Sequence, residues 1–285
     1  MKSSLTFVHI TDLHIGDPAV SDDHLFSNTS ETLTSILAMI GRVEPKPAFI
    51  IASGDLTNRG RTDDYRHLAR LMQATDVPVL YALGNHDTRE GFYQGMLDRA
   101  DELTAPHDHD HVIDGLHVIV LDTSTPGQIG GTIEPEQFDW LEARLDDHPE
   151  LPKLLVAHHA PALGEAPDWA HWRTIQFDQS QRLAEMLAGR NILAILSGHI
   201  HHDRFSVWHG IPVIVGMGMH AATDILESSV LRMVRGASFG IGTVRKSGLT
   251  MALVPLPSDR AELNRYDLTM LRERQEAALA EATAG

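Results

Sequence analysis

Residues 49–87 read FIIASGDLTNRGRTDDYRHLARLMQATDVPVLYALGNHD. Phe49–Ala52 and Val77–Leu83 are short apolar runs of the kind that form buried strands. Between them, Asp64–Ala74 carries apolar residues three and four apart, as an amphipathic helix does. The stretch therefore predicts a strand–helix–strand unit. Gly54-Asp55 follows the first strand, and Gly84-Asn85-His86-Asp87 follows the second.

The same rhythm continues on both sides. Leu5–Ile10, Val118–Leu121, Leu154–Ala157 and Ile192–Leu196 read as further strands, and Glu31–Val43, Pro135–Asp146 and Asp178–Ala188 as amphipathic helices. Alternation of this kind predicts a layered α/β fold. After about Val207 the texture changes. Ile211–Val215, Val230–Val234, Phe239–Val244 and Thr250–Leu256 are β-like runs with no helix between them, which predicts a second sheet packed on the first. Asp259–Ala282 predicts a helix. The chain thus divides into one domain over residues 1–257 and a helical tail over 258–285, serving as a cap or an oligomer contact.

Composition narrows the chemistry. The 285 residues include 0 Cys, which excludes a disulfide scaffold, a cysteine-ligated metal and a thiol nucleophile. Lys and Arg number 23 against 39 Asp and Glu, a net charge of −16. A protein that grips nucleic acid through its phosphates needs the opposite balance. No stretch approaches the roughly 18 apolar residues of a membrane span. His9, Asp12 and His14 interrupt the first apolar run before a signal-peptide core forms, so a cytoplasmic location is expected.

The 18 histidines point to metal or acid–base chemistry. Five strand-like runs end in residues able to bind a metal. They are Asp12-x-His14, Gly54-Asp55, Gly84-Asn85-His86-Asp87, His158-His159-Ala160-Pro161 and Gly198-His199-Ile200-His201. Ligands of open α/β sheets bind beyond the carboxyl ends of the strands, so five ends can converge on one place. Asp12 with His14, and His199 with His201, are two residues apart and leave an extended chain on one side. The donors are carboxylate, amide oxygen and imidazole, a set suited to Mn, Fe, Co, Ni or Zn rather than to Ca or Mg alone. Seven ligands exceed the needs of one such ion and suffice for two if one carboxylate bridges.

Five short motifs in this order resemble those of the calcineurin-like metallophosphoesterases. Within that family the pattern is most similar to class III cyclic nucleotide phosphodiesterases and bacterial glycerophosphodiesterases. The likeness covers roughly the first three-quarters of the chain. It implies a four-layer α-β-β-α sandwich of two packed mixed sheets flanked by helices. It also implies two divalent or mixed-valence ions (Mn, Fe, Zn or Co). Asp12, His14 and His201 would hold one ion, Asn85, His158 and His199 the other, and Asp55 would bridge them. His86 would face the phosphate without binding metal, and would hydrogen-bond an oxygen or protonate the leaving group. Asn85 and His86 would contact substrate. The reaction implied is attack of a metal-bound hydroxide on a small phosphodiester, either a 3′,5′-cyclic nucleotide such as cAMP or a glycerophosphodiester. Two divalent ions less two carboxylates leave about +2 in the cleft of an acidic protein, enough to hold a diester anion. A homo-oligomer, dimeric or larger, is expected.

Other residues have plainer readings. His159 is expected beside the ligands or in packing, and His9 as a satisfied core histidine. His107–His111 reads as a solvated loop and Asp122 as a turn-capping residue. His220 is read as a substrate-pocket residue, with a loop position as its alternative. His202 and His209 fit the surface or a hairpin. Met217, Met219, Met233 and Met251 are expected as core filler, and Arg59 and Arg61 in a solvated loop. Rival functions are a metal-dependent nuclease, a phosphodiesterase for another small organophosphate diester, and a metal-binding protein without catalysis. The acidic balance opposes the nuclease, and a non-catalytic binder would not need His86.

Overall fold

A computed structural model describes residues 4–101, 103–165, 173–227, 229–271, 273 and 277. The elements through the middle of the chain are β1 (Leu5–Ile10), α1 (Thr29–Ile40), β2 (Ile50–Ser53), α2 (Thr62–Met72), β3 (Val79–Ala82), α3 (Arg89–Gly95), β4 (His109–Ile113), β5 (Leu116–Val120), α4 (Pro135–Asp147) and β6 (Lys153–Val156). They continue with α5 (Phe177–Leu187), β7 (Ile192–Ser197), β8 (Arg204–Trp208), β9 (Ile211–Val215), β10 (Ala222–Thr223), β11 (Val230–Val234), β12 (Ser238–Arg245), β13 (Gly248–Pro255) and β14 (Glu262–Asp267).

The strands make a five-stranded sheet, β13-β12-β1-β2-β3, and a six-stranded sheet, β4-β5-β6-β7-β9-β8. Side-chain alternation along each strand builds the layers. Phe7, Phe49 and Ile51 point one way and meet Val118, Leu154 and Leu196 of the other sheet. Val8, Ile10, Ile50 and Ala52 point the other way, onto Leu33, Ile36 and Leu37 of α1 and Tyr65 and Leu68 of α2. On the far side Ile119, Leu155 and Ile195 pack on Phe138 and Leu141 of α4 and Leu183 and Leu187 of α5. The result is the expected four layers, helix–sheet–sheet–helix. Local signals agree: the Asn28 side chain caps α1 at Glu31 N, and Pro135 opens α4.

Three expectations need correction. The late strands do not together form the second large sheet. β8 and β9 extend the six-stranded sheet, β12 and β13 pair outward from β1, and β11 joins β10 and β14 in a third, three-stranded sheet. Pairing β12 antiparallel to β1 (Phe7 opposite Gly242) gives the parallel core strands an antiparallel flank. The helix expected over Asp259–Ala282 does not begin at 259, because Glu262–Asp267 is β14, paired with β11. Residues 268–271, 273 and 277 are helical, and the rest of that span lies outside the described residues. His107–His111 is not a solvated loop. His109 begins β4 and donates to Tyr81 O at 2.9 Å, and His107 packs 4.6 Å from the Phe92 ring. No helix among the described residues is long and apolar enough to cross a membrane.

His9, in β1, is the expected satisfied core histidine, with Nε2 2.8 Å from Ser53 Oγ. Burial pulls it down to about 4. An unfolded histidine titrates near 6.5, so the unfolded chain binds the extra proton first. The neutral ring's contribution is fully present above about pH 6.5 and lost as pH falls toward 4. The shift corresponds to about 3 kcal/mol. In urea titrations of metal-free protein, His9→Gln should therefore show a smaller stability loss between pH 7 and 4.5 than the parent chain. Equal losses would mean that His9 is not the group responsible.

Candidate metal centre

Past the carboxyl ends of β1, β2, β3, β6, β7 and β9 the chain places every residue singled out for the site. Asp12, His14, Asp55, His158, His199 and His201 are all buried, at 7% exposure or less. Five of the ten non-glycine residues with left-handed φ among the described residues lie here: Asp12 (49°), His14 (44°), Asp55 (47°), His199 (76°) and His201 (52°). Concentrated backbone strain of this kind marks functional positions. Gly84 is required by proximity, since a Cβ there would collide with the Asp55 carboxylate.

Four imidazoles share one arrangement. His158 donates Nδ1–H to Ser53 O at 2.9 Å, and His201 donates Nδ1–H to Ala221 O at 3.1 Å. His199 donates Nε2–H to Arg173 O at 2.8 Å, and His14 donates Nδ1–H to Asn58 Oδ1 at 2.9 Å. Each oxygen can only accept, so each ring carries a proton there and, when neutral, keeps a lone pair on the other nitrogen. That is how proteins present histidine to a metal. His14 Nε2, His158 Nε2 and Asn85 Oδ1 are buried without a hydrogen-bond partner. The Asp55 Oδ2 atom lies 3.6 Å from His14 Nε2 and 3.3 Å from His158 Nε2. Asp12 Oδ1 lies 3.5 Å from His201 Nε2. These spacings exceed the roughly 2.7–3.2 Å of a good N–H···O bond and suit atoms that share a third partner. Asp12, His14, Asp55 and His201 can present ligand atoms within 4.8 Å of one another. A metal fits this donor set.

Electrostatics agree. Burial holds His14 well below the ordinary imidazole value and draws His199 to about 3, so both are neutral at working pH. Burial also pushes the Asp12 carboxyl up. At Asp55 burial opposes ionisation, yet His158 and His86 hold its carboxyl well below the usual range. Burial likewise opposes a charge on His158, but Asp55 lifts it to about 9. A divalent cation beside these two would displace that proton.

Neighbouring histidines are already engaged. His159 can donate from Nε2 to Ile129 O (3.0 Å) and accept at Nδ1 from Thr123 Oγ1 (2.9 Å), so both nitrogens are occupied. His220 Nε2 accepts the Phe26 N–H at 3.0 Å, so its proton sits on Nδ1 and the ring offers a donor, 4.7 Å from the His14 ring. His86 donates its backbone N–H to Asp55 Oδ1 (2.8 Å) and its Nδ1–H to Asn58 O (3.0 Å). Asp122 caps Ser124 as expected and also pairs with Arg89 at 3.0 Å. Arg59 is exposed in the loop after β2, as expected, and there forks onto Asp22 at 2.9 and 2.8 Å.

Sequence reasoning left Asp87, the last residue of Gly84-Asn85-His86-Asp87, without a role. Its buried carboxylate accepts Leu56 N (3.0 Å), Thr57 N (3.1 Å), Gly84 N (2.9 Å) and the Tyr65 hydroxyl (2.7 Å). It ties the turn after β2 to the turn after β3, holding Asp55 and Asn85 in register. Asp87→Ala leaves these donors unmatched and should cost about 3–5 kcal/mol in urea unfolding. A loss below about 1 kcal/mol would show that the two turns hold without it.

Comparison with known proteins bears on the whole domain. A family model described as calcineurin-like phosphoesterase matches residues 5–203. A probable cyclic nucleotide phosphodiesterase of Rhodococcus erythropolis is 34% identical over 224 residues, 76% of this chain and 72% of that one. A cAMP/cGMP dual specificity phosphodiesterase of Mycobacterium tuberculosis is 32% identical over 230 residues, 79% and 70% of the two chains. In fold, the chain matches a purple acid phosphatase from yellow lupin seeds with a TM-score of 0.61 at 13% identity. That match covers 93% of this chain and 54% of the longer one. The matched span starts at β1 and ends just past His201, enclosing all five strand-end motifs, and on that ground the chain belongs to the calcineurin-like phosphoesterase family, whose class is phosphoric ester hydrolase.

Proposed function

We propose that the protein is a dinuclear phosphodiesterase acting on a small diester, with a 3′,5′-cyclic nucleotide as the first choice. The observation that carries this is Asp55 Oδ2, placed between His14 Nε2 and His158 Nε2, the open nitrogens of two separate ligand groups. Asp12, His14 and His201 would hold one ion, Asn85, His158 and His199 the other, and Asp55 both. Two such ions supply positive charge for the diester and acidify water near neutral pH.

The remaining work falls to side chains of this chain. His220, with its proton on Nδ1, donates to a phosphate oxygen. His86, anchored through its backbone and Nδ1, turns Nε2 to the leaving oxygen. For a 3′,5′-cyclic substrate, water bonds to phosphorus as OH and releases its other proton to solvent, the P–O3′ bond breaks, and O3′ takes a proton from His86 Nε2, which regains one from solvent. The relatives named for cyclic nucleotides support this substrate. The net charge of −16 disfavours a nucleic-acid backbone.

The test is a substrate panel on Mn(II)-loaded protein: 3′,5′-cyclic AMP and GMP, 2′,3′-cyclic AMP, glycerophosphocholine, a phosphomonoester and single-stranded DNA. Highest kcat/KM on a 3′,5′-cyclic nucleotide is expected. A preference for glycerophosphocholine would move the assignment to glycerophosphodiesters. Preference for the monoester or DNA would overturn it.

A further inference from the structure

Of the four imidazoles described above, three are fixed by backbone carbonyls: Ser53 O, Ala221 O and Arg173 O. A carbonyl can only accept, so those rings need no further instruction. His14 differs, because its partner is the Asn58 side chain, and an amide has two faces. Turned one way it accepts through Oδ1; turned the other it donates from Nδ2.

The choice is made one residue further out. Asn58 Nδ2 donates to Asp22 Oδ2 at 2.7 Å. Asp22 also accepts from Arg59 Nε and Nη2 and from the His24 backbone N–H. Hydrogen bonding to Arg59 holds the Asp22 carboxyl below the usual carboxylate range. An ionised carboxylate has no proton to give, so the Asn58 NH2 must face it. Oδ1 then faces His14, and only Nδ1–H can answer it. We propose that Asp22, acting through Asn58, is a positioning residue that locks the His14 tautomer and so selects Nε2 as its metal-binding atom. The proposal rests on His14 being a metal ligand, as argued above.

Without Asp22 the amide is free to turn and present NH2 to Nδ1. The ring proton then moves to Nε2 and blocks the ligand atom. Asp22 lies in the irregular loop between β1 and α1, and two bonds separate it from the metal site. The same loop sets a second imidazole, since Phe26 N–H fixes the proton of His220 on Nδ1.

The test uses Asp22→Ala and the double variant Asp22→Ala/Asn58→Asp. A carboxylate at 58 can only accept, so the double variant restores the instruction without Asp22. Two readouts apply. Ring 15N shifts of His14 in metal-free protein should show Nδ1–H in the parent, a population of Nε2–H in the single variant, and Nδ1–H again in the double. Mn(II) titration should show one of two sites weakened about 10–100-fold in the single variant and recovered in the double. A His14 ring still wholly Nδ1–H in the single variant would overturn the proposal. So would a double variant no better than the single, or unfolding of both variants, which would make Asp22 a determinant of the fold. If the parent binds no Mn(II), the metal-site reading fails, while the 15N measurement still decides the role of Asp22.

Discussion

Asp55→Ala is expected to lose both the pairing of metals and nearly all turnover while remaining folded. Asp55 Oδ2 stands 3.6 Å from one proposed ligand nitrogen and 3.3 Å from another, so its removal would strip both proposed ions of their common oxygen. Outer-shell partners of metal ligands are worth about 10–100-fold, and a shared ligand should exceed that, with kcat/KM falling by more than about 10³-fold. The fold should persist. Asp55 follows β2 and contributes nothing to the apolar layers, and its loss relieves a buried carboxylate beside Asp12. Elemental analysis after dialysis, activity and a urea melt of metal-free protein check the three parts. Near-normal turnover would overturn the bridging assignment.

The second large effect is at His86. Its backbone N–H, not its ring, bonds Asp55, so His86→Ala should keep the anchor on Asp55 and both metals. The ring is held by Nδ1–H on Asn58 O, leaving Nε2 for the reacting groups. General acid catalysis is typically worth about 10²–10⁴-fold, or about 3–5 kcal/mol of barrier. That loss in kcat is expected on a 3′,5′-cyclic nucleotide, whose leaving group is a poor alkoxide. Bis(p-nitrophenyl) phosphate should suffer less, because p-nitrophenolate departs without a proton. Equal losses on both would assign His86 to phosphate binding, and a lost metal would make it a ligand.

Much of this architecture is legible in the chain, and the failures share a cause. The runs at Leu5, Phe49, Leu154 and Ile192 are strands because every residue there meets a layer on one side or the other. Distant pairing is less visible. Nothing local in Phe239–Val244 says that it lies against β1, more than two hundred residues earlier. Glu262–Asp267 has the Glu, Leu and Arg of a helix former, and β11 overrides that propensity by offering a partner strand. β4 hides among histidines because an edge strand does not need apolar residues on both faces. The short α3 contains two glycines and escapes a periodicity search. Within the site, the metal-binding residue types are visible in the motifs. The roles of Asp87, Asn58 and Asp22 are not, because each depends on what its oxygens accept in three dimensions.

The left-handed backbone at Asp12, His14, Asp55, His199 and His201 has a consequence for how the chain fares once synthesised. Such a conformation costs an L-residue about 1–2 kcal/mol, and the cost is borne whether or not the site is in use. A cation that binds only the folded form offsets it by mass action. Chains made where the metal is scarce would therefore populate open states more often and meet proteases more often. The steady-state amount of this protein would then follow the supply of its cation as well as the rate of its synthesis.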